Sequence, residues 1–250
     1  MLEIQHLSAG YAGVPVVKDV SFGVRMGESA CVLGPNGCGK TTLLRAIARL
    51  IPFTGEVRIG GQDIKTLTRR ELAREVAVMS QVSTLHFAYS VYDTVMMGRY
   101  LNARALGGAG RADRAVVEGC LKAIGLWDIR EQPIDALSGG QLQRVFLAKA
   151  LAQQPRVILL DEPTNHLDIK CQMELIEYLK DWMTSGEHAV IGVFHDVNLA
   201  LTLAERLIFM KEGRVAGQGA FPDVAEPAFL EGVYGMDVAG YMRRSLKRWG

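Results

Sequence analysis

The sequence has almost no excess charge and no long apolar run, and these two deficits exclude several classes of protein. Its 28 lysines and arginines are nearly balanced by 27 aspartates and glutamates, which leaves a formal net charge of +1. Proteins that bind nucleic acid by neutralising phosphates usually carry a clear basic excess, so we expect no nucleic-acid partner. The longest apolar runs, at 157–160 and 189–194, are far shorter than the roughly 18–20 residues that span a bilayer, and they predict buried strands.

The sequence also lacks cysteine spacings typical of metal sites and a secretion signal. The four cysteines show no C-x-x-C or Cys/His spacing, so we expect reduced thiols rather than a zinc site or a disulfide framework. The first residues, M-L-E-I-Q-H-L, lack the basic segment and apolar stretch of a signal peptide. A cytoplasmic location is therefore expected.

Two glycine-rich segments carry most of the information. Residues 34–41 read G-P-N-G-C-G-K-T and fit the pattern G-x-x-x-x-G-K-[ST], in which backbone N–H groups and a helix N-terminus face an anion. An apolar run at 30–33 precedes this loop, and apolar residues from Leu43 to Ile51 follow it at helical spacing, which is the context that the motif requires. The second segment, L-S-G-G-Q at 137–141, precedes another helical pattern.

Short apolar runs alternate with helical patterns along the chain, which predicts a mainly parallel sheet covered by helices. Three of the runs end in polar pairs, namely Ser80-Gln81, Asp161-Glu162 and His195-Asp196. Ligands bind beyond the carboxyl ends of parallel strands, so we expect these pairs to lie near the phosphate loop. The pattern is helical over 82–154, which predicts an inserted helical subdomain within a nucleotide-binding core of residues 1–81 and 155–250.

Taken together, the motifs resemble those of the ATP-binding subunits of ABC transporters. They are the Walker A loop 34–42, a Q-loop glutamine at Gln81, the signature 137–141, Walker B 157–162, a D-loop 165–168 and a switch histidine at His195. The runs at 90–100, 165–169 and 195–200 resemble the branch that imports iron-siderophores, haem and cobalamin. The resemblance implies an α/β fold: a P-loop NTPase core with a mainly parallel sheet, an N-terminal antiparallel β subdomain and an inserted helical subdomain.

The resemblance also implies ATP and Mg²⁺ as cofactors. The predicted ATP-binding residues of the first loop are Gly34, Pro35, Asn36, Gly37, Cys38, Gly39, Lys40, Thr41 and Thr42. Lys40 would contact the β and γ oxygens, and Thr42 the α-phosphate. The predicted metal contacts are Thr41, Asp161 and Gln81.

Four residues are predicted to catalyse hydrolysis: Glu162, His195, Gln81 and Lys40. Glu162 would take a proton from the attacking water, and the resemblance directs His195 to the γ-phosphate. Tyr11 is the candidate for stacking on adenine, although a tyrosine that only covers a core edge fits the sequence too.

In this family the signature acts on the ATP of a second copy, so the resemblance implies a homodimer. The residues predicted to contact that ATP are Ser138, Gly139, Gly140, Gln141 and Asp168. Asp168 also fits the N-cap of a helix predicted over 169–183, and both roles remain open. The other expected partners are integral-membrane permease subunits and, indirectly, an extracytoplasmic substrate-binding protein, with the chain peripheral at the cytoplasmic face of the membrane.

The leading hypothesis is therefore the ATP-hydrolysing subunit of an importer, and three alternatives stay in view. The first is an ABC-type ATPase of a different transporter branch. The second is a soluble DNA-repair or chromosome-type head, which would need a long coiled coil, whereas the interval from Gln81 to Leu137 shows no sustained heptads. The third is a small-molecule kinase, which would lack L-S-G-G-Q.

Overall fold

The computed structural model describes residues 1–79, 89–100, 110–165 and 167–247. The strands are β1 (Leu2–Tyr11), β2 (Val14–Val24), β3 (Ser29–Leu33), β4 (Phe53–Ile59), β5 (Gln62–Asp63), β6 (Val76–Met79), β7 (Val157–Asp161), β8 (Ala189–Val193), β9 (Arg206–Lys211) and β10 (Arg214–Gly219). The α-helices are α1 (Lys40–Ile47), α2 (Arg69–Glu75), α3 (Val91–Met96), α4 (Arg111–Ala123), α5 (Gly139–Ala152), α6 (Ile169–Met183), α7 (Val197–Leu203), α8 (Phe221–Val224), α9 (Pro227–Tyr234) and α10 (Val238–Leu246). None of these described helices combines the length and the apolar content that crossing a bilayer requires.

The first sheet is antiparallel and has the strand order β2-β1-β4-β5. The turn between β1 and β2 consists of Ala12 and Gly13, which both have positive φ, 48° and 80°. Such two-residue turns match the twist of the strands that they join. The antiparallel N-terminal β subdomain expected from the resemblance is confirmed.

The second sheet has the order β10-β9-β3-β8-β7-β6. Its strands are parallel except for β10, which pairs antiparallel with β9 at the edge. Every residue of β3 and β8 is buried, as expected for central parallel strands with helices on both faces. The mainly parallel sheet predicted from the alternating pattern is confirmed, and it places the carboxyl ends of β3, β7 and β8 at one edge.

Local capping explains where the two longest helices near that edge begin. Ser138 caps α5, and its side chain and that of Gln141 exchange hydrogen bonds with each other's backbone N–H. Asp168 caps α6 by accepting a 2.8 Å hydrogen bond from the N–H of Cys171. Helix α6 has the limits that its periodicity predicts.

The helices between 89 and 152 have a hydrophobic cluster of their own, formed largely by α3, α4 and α5. A buried ion pair joins these helices, because Nε of Arg99 lies 3.0 Å from Oδ1 of Asp113 at the start of α4. The same guanidinium donates a 2.7 Å hydrogen bond to the carbonyl of Ala152 at the end of α5. One side chain thus connects the segment after α3 to two further helices.

Candidate functional site

The phosphate loop leaves β3 at Leu33 and enters α1 at Lys40. Its glycines Gly34, Gly37 and Gly39 have positive φ values of 143°, 77° and 106°, which favour residues without a Cβ. A Cβ on Gly34 would also collide with the carbonyl oxygen of Met210 on β9. The close approach of β9 and the left-handed backbone explain why glycine is needed at this position.

Lys40 is buried at the first position of α1, with 5% of its surface exposed. Its Nζ donates hydrogen bonds to the carbonyl oxygens of Gly34 at 2.8 Å and Pro35 at 3.0 Å. Both acceptors are neutral, and none of the ion pairs among the described residues includes Lys40. A buried ammonium beside backbone N–H groups at a helix N-terminus is well suited to bind the phosphates of a nucleotide.

The other loop residues lie around this lysine. Asn36 and Gly37 are exposed at the tip of the loop, whereas Cys38 and Thr42 are buried. Burial raises the pKa of the Cys38 thiol above its usual value, which keeps the thiol protonated and weakly nucleophilic. Cys38 thus contributes packing and backbone to the loop.

Thr41 and Asp161 form the pair expected for a metal. The Thr41 hydroxyl donates a 2.9 Å hydrogen bond to Oδ1 of Asp161 at the end of β7. Hydroxyl and carboxylate oxygens are the hard donors that Mg²⁺ prefers, so the donor set fits this ion. Burial raises the pKa of Asp161, an effect that the hydrogen bond from Thr41 opposes.

Glu162 follows Asp161 and meets His195 across the sheet edge. Oε1 of Glu162 lies 2.5 Å from Nε2 of His195, and its Oε2 accepts a 2.6 Å hydrogen bond from Nδ2 of Asn165. Glu162 has a left-handed backbone, φ 54°, an unusual conformation for a residue with a side chain. The polar residues that follow β7 and β8 therefore lie together, as the sequence predicts.

The signature residues lie on the surface. Ser138 and Gly139 are exposed, and the side-chain hydrogen bonds of Ser138 and Gln141 connect these two residues to each other. Gly140 packs so closely on the thiol of Cys171 that a Cβ there would overlap the sulfur. The signature therefore packs against α6 through Gly140, whereas Ser138 and Gly139 are accessible.

Two further predicted residues, Tyr11 and Asp168, lie in the described part of the chain. Tyr11 is 42% exposed at the end of β1, and its hydroxyl accepts a 3.2 Å hydrogen bond from Nη1 of Arg45. The backbone N–H of Cys171 at the start of α6 lowers the pKa of Asp168. Gln81 lies outside the described residues.

Sequence reasoning missed three contacts at this site: Asn165 with Glu162, Arg45 with Tyr11, and Tyr234 with the phosphate loop. The Tyr234 hydroxyl on α9 lies against the backbone of Gly34, and burial raises its pKa to about 12. Only the first contact had a local signal, because an amide three residues after a carboxylate can fold back across a turn.

The chain has clear relatives over most of its length. The family profile described as ABC transporter matches residues 17–165. The ferric enterobactin transport ATP-binding protein FepC of Escherichia coli is 34% identical over 233 residues, which are 93% of this chain and 86% of that protein. The iron(3+)-hydroxamate import ATP-binding protein FhuC of Bacillus subtilis is 32% identical and covers 94% of this chain and 88% of its own length.

Solved structures of ABC transporter proteins are also similar to this chain. An inward-facing ABC transporter of metal-chelate type matches with a TM-score of 0.82 and 26% identity, over 94% of this chain and 89% of that one. A dimeric ATP-binding cassette bound to ADP and phosphate matches with a TM-score of 0.76 and 30% identity, over 88% of this chain and 98% of that one. The chain belongs to the ABC transporter family, as an ATP-binding subunit that hydrolyses ATP and uses Mg²⁺.

Proposed function

We propose that this chain is the ATPase subunit of an importer for iron-siderophore, haem or cobalamin-type ligands, which cross the membrane through a separate permease. Two relatives that match over most of their own length support this proposal, because their names describe transport of ferric enterobactin and import of iron(3+)-hydroxamate. A cobalamin import ATP-binding protein of Halobacterium salinarum is 36% identical over 95% of this chain and 60% of its own length. The shared chemistry of these ligands is that of large metal chelates.

The observation that carries the ATPase part is the convergence of a buried lysine, a hydroxyl–carboxylate pair and the Glu162–His195 pair at one sheet edge. In this proposal the backbone N–H groups of the phosphate loop, Lys40 and Thr42 bind the phosphates of ATP. Thr41, Asp161 and Gln81 would hold Mg²⁺, which supplies positive charge beside the phosphates when it is bound.

Glu162 then acts as the general base. Its carboxylate takes a proton from water, the water oxygen bonds to the γ-phosphorus, and the bond to the bridging oxygen breaks to give ADP and phosphate. His195 contacts the γ-phosphate, and Tyr11 stacks on adenine. The Thr41 hydroxyl bonds to Asp161 and the Glu162 carboxylate to His195, so these four side chains are within reach of one another at the site.

The exposed signature completes the site of a second copy. Ser138, Gly139, Gly140 and Gln141, with Asp168, would contact the ATP held by the facing phosphate loop, so two copies enclose two nucleotides. The accessible outer face of the signature supports this arrangement. Hydrolysis would release the two copies and move the attached permease subunits.

The remaining partners follow from the importer role. The helical subdomain, residues 82–154, would lie beside the permease at the cytoplasmic face of the membrane, and the permease would receive its cargo from an extracytoplasmic substrate-binding protein. The nucleotide-binding core would comprise residues 1–81 and 155–250.

Co-purification with a permease and reconstitution in vesicles test this function. We expect ATPase turnover to rise when a binding protein loaded with a ferric siderophore, haem or a corrinoid is added, and empty binding protein serves as the control. Stimulation by none of these three ligand classes would contradict the assignment to this importer branch and favour a different transporter branch. Stable association with DNA, together with DNA-stimulated turnover, would favour the repair-type alternative.

A further inference from the structure

The carboxylate of Glu162 has two hydrogen-bond partners, one on each oxygen. His195 lies at Oε1 at 2.5 Å and Asn165 at Oε2 at 2.6 Å. The Glu162 side chain is only 22% exposed, so these contacts restrict where it can point. His195 has an expected task at the phosphate, whereas the Asn165 amide has none.

Asn165 reaches Glu162 because the chain turns sharply after β7. The N–H of Glu162 donates a 3.1 Å hydrogen bond to the carbonyl of Val193 on β8, and the N–H of Asn165 donates a 3.3 Å hydrogen bond to the carbonyl of Glu162. The backbone of Glu162 is left-handed, with φ 54°, and its carboxylate contacts the Asn165 amide across this turn. An amide at position 165 can therefore hold the carboxylate without help from another element.

Two glutamines support the same loop through its backbone alone. Nε2 of Gln143 on α5 donates a 2.7 Å hydrogen bond to the carbonyl of Pro163. Nε2 of Gln172 on α6 donates 3.2 Å hydrogen bonds to the carbonyls of Thr164 and Leu167. Support of the loop backbone and support of the carboxylate thus come from different side chains, so substitutions can separate them.

We propose that Asn165 is a positioning residue for ATP hydrolysis, which orients the Glu162 carboxylate by donating to Oε2 and leaves Oε1 to accept the proton of water. This inference rests on the proposed role of Glu162 as the general base. When His195 contacts phosphate, Asn165 remains as the partner that fixes the carboxylate. An oriented acceptor needs less rearrangement in the transition state, so the contribution falls on kcat.

Asn165→Ala tests this role by steady-state kinetics of the purified full chain. A hydrogen bond to a charged group corresponds to a fall in kcat of roughly tenfold to hundredfold, with KM for ATP changed by about twofold or less. Asn165→Asp keeps the shape, lacks the donor and places a second carboxylate beside Glu162. We expect its kcat to fall below that of Asn165→Ala.

Gln172→Ala is the matched control, because it removes an amide that supports the same loop and does not contact Glu162. Its kcat should stay within about threefold of the parent value. An equal fall in Gln172→Ala and Asn165→Ala would assign the effect to loop support and overturn the proposal. Parental kcat in Asn165→Ala, or a change confined to KM, would overturn it as well.

Glu162→Gln separates failure of this inference from failure of the proposed function. Normal turnover in Glu162→Gln would refute Glu162 as the base, whereas normal turnover in Asn165→Ala beside an inactive Glu162→Gln refutes the positioning role alone. The double variant Glu162→Gln/Asn165→Ala should still form an ATP-bound dimer when size-exclusion chromatography is run with ATP. Loss of that dimer would show that Asn165 acts in pairing instead.

Discussion

The Thr41 hydroxyl donates a 2.9 Å hydrogen bond to Oδ1 of Asp161, although the two residues are 120 positions apart. They meet because β3 and β7 flank β8 in one parallel sheet, so that the first turn of α1 lies beside the end of β7. This contact joins the phosphate-binding segment to the segment that carries the proposed base.

Glu162→Gln should bind ATP and stop turnover. The amide keeps the size of the carboxylate and can still accept from Asn165, but it cannot take a proton from water. Loss of a general base lowers kcat by about 10²–10⁴-fold. Phosphate release measures turnover, and size-exclusion chromatography with ATP should show a trapped dimer. Turnover equal to that of the parent would contradict the assignment.

Pairing of two copies is tested by mixing two inactive variants. Ser138→Arg blocks the signature and Lys40→Ala disables the phosphate loop, so neither variant should hydrolyse ATP alone. A mixed dimer contains one intact site, which combines Lys40 of one copy with Ser138 of the other. The mixture should therefore regain turnover, and its absence would indicate that each chain works by itself. Lys180→Ala, an exposed lysine on α6, controls for loss of a positive charge.

Asp161→Asn should stabilise the nucleotide-free chain at neutral pH while abolishing Mg²⁺-dependent hydrolysis. Burial raises the pKa of Asp161 above 3.8, so the folded chain binds this proton more tightly than the unfolded chain. Ionisation of Asp161 above pH 3.8 consequently lowers the free energy of unfolding. The asparagine stays neutral and can still accept from Thr41.

Thermal unfolding at several pH values checks this expectation. The Tm of Asp161→Asn should exceed that of the parent at pH 7, and the difference should shrink as the pH falls towards 3.8. Asp63→Asn, a substitution away from the phosphate site, is the control. A Tm well below that of the parent at pH 7 would show that ionised Asp161 stabilises the free chain.

Arg99→Ala should destabilise the chain without a direct effect on the phosphate loop. It leaves Asp113 buried without its ion-pair partner and removes the hydrogen bond to the carbonyl of Ala152. Breaking a buried pair on one side costs about 3–5 kcal/mol. Denaturant unfolding measures this change, with Glu118→Ala, which breaks an exposed pair with Lys122, as a control expected to change stability by less than about 1 kcal/mol. Equal effects of the two variants would contradict the argument.

The same Arg99 contact predicts a pH dependence. Its hydrogen bond and the N–H of Gly110 lower the pKa of Asp113 below 3.8. The stability gained from ionised Asp113 is therefore fully present above pH 3.8. It is lost as the pH falls through the lower pKa that Asp113 has in the folded chain. Arg99→Ala should reduce the loss of stability in that acidic range.

Local patterns encode several elements of the fold directly. Helix α6 has the limits that periodicity predicts, and the apolar runs at 157–160 and 189–194 match strands β7 and β8 to within one residue. Each of these patterns is set by residues close in sequence. The phosphate loop is similarly local, since its glycines and Lys40 lie within eight positions of sequence. Such features are visible before any tertiary contact is known.

Contacts between segments that are distant in sequence are not predicted by local patterns. His195 and Glu162 are 33 residues apart, and their 2.5 Å approach depends on β7 and β8 being neighbours in the sheet. The contact of Tyr234 with Gly34 likewise needs α9 to fold back on the loop. No periodicity in the sequence specifies such pairs, because they arise from the packing of whole elements.

The amino-acid sequence by itself determined the phosphate loop, the signature, the polar strand ends and the family to which they belong, because these depend on residue types at short spacing. Tertiary structure alone decided that Lys40 is buried and bonds to neutral carbonyls, and that Asp161 accepts a hydrogen bond from the Thr41 hydroxyl. It also decided that one oxygen of the Glu162 carboxylate contacts Asn165 and the other contacts His195. The reason is physical: burial and hydrogen-bond partners depend on which strands lie side by side, and strand order is a property of the folded sheet.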